Sequence, residues 1–253
     1  MSALSAVFYR NYLLRRKNPF LMFWDVVAPI AYLLLFGIGY EQLLGGGLEI
    51  DGEHVRYTTF LVSGVLGLVT FGIAVNTSWS FFMDRDSGMA EEMLTYPLTR
   101  PQILLGKLAF NIALALASST LVLLVGGLVT DIPVRPEMLP LILAVTILSQ
   151  TTQFFVFDMV AIKINQMDAY NAVVGVLYVL LMFLSPMFYP LTDMPLWFKV
   201  VSYLNPMTWQ IDLLRFALLG VGDPQQLLIE GAALVAVTVA GVAIGLRSLH
   251  HQP

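Results

Sequence analysis

MDRDSGMAEEMLTYPLTRPQILLGK, Met83 to Lys107, is a charged interruption between two long apolar runs, about Thr58 to Phe82 and about Leu104 to Val129. Each run has about the 20 residues a helix needs to cross the hydrocarbon core of a bilayer. The interruption is too short and too polar to cross, so it reads as a loop, 83–103, joining two spans on one side of a membrane.

Further apolar runs lie at about Pro19 to Tyr40, Met138 to Ile164, Ala169 to Phe188 and Leu227 to Leu246. The sequence therefore predicts an all-α integral membrane protein with six transmembrane helices. With 253 residues there is room for one transmembrane domain, 1–253, and for no second soluble one. Composition agrees: 58% of residues are hydrophobic, only 12% are charged and the mean hydropathy is +0.78, well beyond a soluble domain. Without cysteine there are no disulfides or thiolate metal sites, and nothing suggests nucleic acid as a partner.

Lys and Arg resist translocation, so their placement orients the chain. With the N-terminus in the cytoplasm, Arg10, Arg15, Arg16, Lys17, Arg85, Arg100, Lys107, Lys163 and Arg247 lie inside and only Arg56, Arg135, Lys199 and Arg215 outside. This predicts a multi-pass protein with both termini cytoplasmic. Acids in the outer loops, among them Glu49, Asp51, Glu53 and Asp131, carry no weight in that assignment. In 1–17, Leu4, Val7 and Phe8 fall at helical spacing before the cations, predicting a short helix on the inner membrane surface.

Within the loop, Asp86 or Ser87 suits the N-cap of a helix from about Gly88 to Thr95, with Glu91 and Glu92 favouring its positive end. Pro97 ends it. Thr99, Pro101 and Gln102 then have capping-box spacing for the next span. Met89, Met93 and Leu94 form an apolar face too small to be a core. It either rests on lipid headgroups or docks on a partner.

After the fifth span, segment 186–222 holds Pro186 and Pro190 as helix breakers. Thr192 or Asp193 can cap a first short helix, and Asn205 with Pro206 opens a second that stops at Gly220. This predicts short re-entrant helices at the outer face, with Trp197, Tyr203 and Trp209 suited to an interfacial belt. Asp212 and Arg215, three apart, can pair locally or meet substrate.

The loop, with Asp86, Gly88, Glu91, Glu92, Met93, Leu94, Tyr96, Pro97, Arg100 and the Gly106-Lys107 end, resembles that of the ABC-2 exporter permeases; Tyr96 departs from the smaller residue commoner there. The run Pro186, Pro190, Asn205, Pro206, Trp209, Asp212, Arg215 resembles the same family's outer segment. The resemblance implies a transmembrane subunit of a bacterial inner-membrane exporter of the drug, polysaccharide or lipo-oligosaccharide group. It implies a coupling helix contacting an ATPase subunit through Asp86, Glu91, Glu92, Met93, Leu94, Tyr96, Pro97 and Arg100. The implied partners are a second copy or a related permease, two ABC ATPase subunits and the bilayer. It also implies a translocation path lined by spans two and five of two copies, which would put Asn76, Trp79, Tyr178, Met182 and Phe183 near substrate.

An energy source is missing from the chain itself. A phosphate-binding loop needs GxxxxGK and a hydroxyl, but Pro101 stands where the first glycine belongs and Leu108 where the hydroxyl belongs. No cofactor is expected on this chain; ATP and Mg would sit on the partner. A lipid-modifying enzyme would need a cluster of reactive groups, yet the only histidines are His54, His250 and His251. An ion-coupled transporter would show repeated halves and midplane ionisable residues, and Asp25 and Asp158 lie near the inner interface, where water or a cation is in reach. In the fourth span, Ser149 to Gln153 is a polar run expected to join helices or line the path. Gly241 and Gly245 form a GxxxG that offers a close-packing or dimer face.

Overall fold

The computed structural model describes residues 3–43, 47–50, 52–130 and 135–248. Asp51, Asp131, His250 and His251 lie outside them. The helices are α1 (Ala3–Lys17), α2 (Pro19–Leu43), α3 (Tyr57–Asp86), α4 (Met89–Thr95), α5 (Arg100–Val129), α6 (Leu139–Lys163), α7 (Met167–Phe183), α8 (Leu196–Tyr203), α9 (Pro206–Leu219) and α10 (Pro224–Ser248). Five of them, α2, α3, α5, α6 and α10, are long and apolar enough to cross a membrane. The chain is a multi-pass, all-α membrane protein. The fifth expected run differs from its forecast: α7 stops at Phe183, because the chain must leave helical geometry ahead of Pro186. An unforeseen antiparallel hairpin pairs β1 (Leu48–Ile50) with β2 (Glu53–Val55), and Gly52 turns with φ +82°.

Helix α3 is the axis of the bundle. It is buried from Tyr57 through Phe71 without a break, as a central helix must be. Helices α2, α5, α6 and α9 pack around it. Lipid supplies little drive for helices to associate, so close fit decides. A Cβ on Gly64 would come within 2.7 Å of Met187, and one on Gly67 within 2.9 Å of Ile211.

Two members of the polar run of α6, Thr152 and Gln153, join helices, whereas Ser149 Oγ and the side-chain amide of Gln150 have no hydrogen-bond partner among the described residues. Gln153 donates to Gln210 Oε1 on α9 at 2.9 Å, Gln210 donates to Thr70 Oγ1 on α3 at 2.8 Å, and the hydroxyls of Thr152 and Thr238 on α10 are 2.6 Å apart. The GxxxG of α10 is occupied within the chain. Gly241 and Gly245 receive the ring of Phe155 on α6, and a Cβ on Gly245 would collide with it.

Candidate functional site

Two groups of expected site residues lie at opposite ends of α3, which at 30 residues is about 45 Å long. Helix α4 follows the last turn of α3. Its N-cap is Gly88 in the left-handed region, φ +74°, and neither Asp86 nor Ser87 caps it. Ser87 instead closes α3, its hydroxyl donating to the Met83 carbonyl at 2.7 Å. Beyond α4, Thr99 is the N-cap of α5, and its N–H donates to Gln102 Oε1 at 2.9 Å, as the spacing predicts.

Met93 corrects the expected partner-facing set. It is 6% exposed and packs with Val7 of α1 and Ile103 of α5, so it fastens α4 to the bundle. The side chains left facing outward are Asp86, Met89, Glu91, Glu92, Leu94, Tyr96 and Pro97, with Arg100 half-buried. Tyr96 is 61% exposed. Helix α4 is therefore a short foot with an apolar sole inside and an acidic, aromatic face outside.

Three features missed in the sequence brace this foot. Arg85 donates to the carbonyls of Ala161 and Ile162, 2.9 Å each, and to that of Ile164, capping the C-terminus of α6. Asp84 binds Arg10 of α1 at 2.9 Å and Lys107 of α5 at 2.6 Å. Gly106 lets α1 lie on α5, since a Cβ there would be 2.7 Å from Val7. These contacts are long-range, and no local spacing announces them.

Of the five expected path residues, four line two neighbouring cavities. Asn76 and Tyr178 line one of about 210 Å³ with Trp24, Asp25 and Tyr32. Met182 and Phe183 line another of about 400 Å³ with Tyr32, Phe36 and Phe188. Tyr32 borders both. Trp79 lies elsewhere, stacked with Phe82 and beside Tyr170. The wall of the upper cavity is aromatic: Tyr32, Phe36 and Tyr40 stack along α2 at centroid spacings of 5.4 and 5.9 Å. Their i, i+4, i+8 spacing is readable in the sequence. Asp25 takes hydrogen bonds from Arg15 and, at 2.9 Å, from Asn76, so this acid has a cation as expected.

The segment after α7 reaches back into the bundle. Phe188 accepts from the Tyr57 hydroxyl at 3.0 Å near the start of α3, whereas Gln210 on the following α9 meets Thr70 halfway down it. The turn between α8 and α9 is held by Asn205, which accepts from Met207 N–H at 2.9 Å and donates to the Leu181 carbonyl at 2.7 Å. Pro195, rather than Thr192 or Asp193, is the N-cap of α8. Arg215 bonds Asp212 at 2.8 Å and the Pro186 carbonyl at 2.6 Å, with its guanidinium 4.0 Å over the Phe60 ring. Trp197 is exposed, but Trp209 is buried, its indole donating to the Tyr203 carbonyl at 2.7 Å. Trp209 is thus a packing residue.

The model of the ABC-2 type transporter family matches residues 2–219. Similar chains include the ycf38 protein of Cyanophora paradoxa, 24% identical over 210 residues covering 82% of this chain and 71% of that one. Inner membrane transport permease YadH of Escherichia coli is 24% identical over 210 residues, 81% of this chain and 80% of its own. YbhR of Escherichia coli, named a probable multidrug ABC transporter permease, is 25% identical over 165 residues, 64% of this chain and 44% of its own.

Proposed function

The chain belongs to the ABC-2 type transporter family, and from that premise we propose that it is the membrane subunit of an ATP-driven exporter in a bacterial inner membrane. It pairs with a second copy and binds two ATPase subunits, which carry the ATP and Mg. Helix α7 completes a sixth crossing together with the irregular chain after it, and both termini face the cytoplasm.

The observation that carries this reading is the mounting of α4. Its outer face offers Glu91, Glu92, Leu94 and Tyr96, while Met93 ties it to α1 and α5. A push on the outer face is delivered to three helices at once. The partner does work only if its two nucleotide states favour different arrangements of the bundle.

The cavities shared by α2, α3 and α7 are the proposed substrate route. Their lining, aromatic above and amide and carboxylate below, suits an amphiphile such as a drug, a lipid or a lipid-linked glycan. The test is transport, and substrate-stimulated ATP turnover, in the reconstituted complex with Asn76→Ala and Phe183→Ala. The expected result is a change in one or both quantities. Unchanged values for both variants would remove this cleft from the route.

A further inference from the structure

Lys107 sits among charges that the proposed cycle has not yet used. Its side chain is 1% exposed and donates to Asp84 Oδ2 at 2.6 Å, with the ammonium 3.8 Å from the centre of the Phe81 ring. The same ring packs edge-on against Phe154 of α6, centroids 6.1 Å apart, one turn before Asp158, so the ammonium and that carboxylate lie near enough for their charges to act on each other. Asp158 is 2% exposed, and neither carboxylate oxygen has a hydrogen-bond partner among the described residues. The groups facing this cluster are Arg10 on α1, Asp84 on α3, Lys107 on α5, Asp158 on α6 and Tyr170 on α7.

The sharing is uneven, since Asp84 holds both cations and Asp158 holds neither. A buried acid without a partner is costly. A lysine ammonium on a flexible four-carbon stem can change partner with little backbone movement. Asp84 could give it up without being stripped bare, because Arg10 remains within 2.9 Å. Asp84 also lies in the last turn of α3, five residues before α4 begins, so a displacement of α4 is passed to it along the chain.

We infer that Lys107 is a two-position latch, held by Asp84 in the arrangement seen here and by Asp158 in the alternate arrangement of the transport cycle. The inference rests on the transporter reading above. It makes Lys107 a positioning residue, because it sets which arrangement is favoured and touches no substrate.

The test uses the natural absence of cysteine. Gly72 lines the cavity beside Asn76, and a Cβ there meets open space, so Gly72→Cys reports access to the route through its rate of maleimide labelling. The protein is the full chain assembled with its ATPase subunits, with and without ATP. In the Gly72→Cys background, Asp158→Asn leaves Lys107 only Asp84, and Asp84→Asn leaves it only Asp158. The two are expected to move the nucleotide-free labelling rate in opposite directions, each by about fivefold or more. Shifts in the same direction, or none, would overturn the latch, because a merely structural cluster loosens whichever acid is lost. If Asp158→Asn does not assemble, Asp158→Glu keeps the charge and extends its reach, and should shift labelling the way Asp84→Asn does; no shift would again overturn the latch. Labelling indifferent to nucleotide without either acid substitution would overturn the transporter reading and the latch together, whereas nucleotide-responsive labelling with parallel shifts overturns the latch alone.

Discussion

Arg85 donates to the Ala161 carbonyl at 2.9 Å, tying the end of α3 to the end of α6 on the side of the bundle that carries α4. A cation over the last carbonyls of a helix satisfies groups that have no partner within it. Arg85→Ala is expected to lower stability by about 1 kcal/mol and to free the end of α6. Hydrogen exchange of the amides at 160–164 would show faster opening there, and unchanged exchange would contradict the brace.

Gln153 and Gln210 form a pair that tests polar packing inside the membrane. Removing Gln210 leaves the Gln153 amide buried without the partner it has here, whereas Gln210 still keeps Thr70 when Gln153 is lost; replacing both with apolar side chains of similar size removes the mismatch. Gln210→Leu alone should cost about 1 kcal/mol. Gln153→Leu with Gln210→Leu should cost less than the sum of the two single changes in denaturation from detergent.

Asn205 carries the turn between α8 and α9 through two hydrogen bonds. Asn205→Ala should cost about 1–2 kcal/mol and expose 186–222 to limited proteolysis, while α4 and its face stay protected as before. Asn205→Asp, which keeps the cap oxygen but loses the amide donor to Leu181, should fall between.

Gly245 faces the ring of Phe155. Gly245→Leu is expected to part α10 from α6 and reduce the yield of folded chain, and Phe155→Ala should restore part of that loss by making room. A copy-to-copy role for this glycine would instead show as altered oligomeric size with no rescue by Phe155→Ala.

Local chemistry was the legible part of the chain. Asn205, Pro206 and Gly220 mark the limits of α9 because a cap oxygen, a fixed φ and a left-handed stop each act within a few residues. The long apolar runs were legible for a similar reason, since bilayer thickness constrains each one separately. Met93 was misjudged because Val7, which buries it, lies far away in sequence. The same distance hid the Arg10, Asp84 and Lys107 cluster, whose members look like ordinary inside charges until α1, α3 and α5 are packed. Tyr32 and Phe36 were missed although their helical spacing was in view, because an aromatic stripe on an apolar helix reads equally well as lipid-facing.

The central claim is that α4 receives force from a separate nucleotide hydrolase. A photo-crosslinking amino acid placed in turn at Leu94 and Tyr96, both exposed, in the complex purified with its ATPase, tests it most directly. The account predicts a covalent adduct between this chain and the ATPase subunit from at least one of the two positions. A complex that transports and hydrolyses ATP normally, yet yields no such adduct from either, would contradict it.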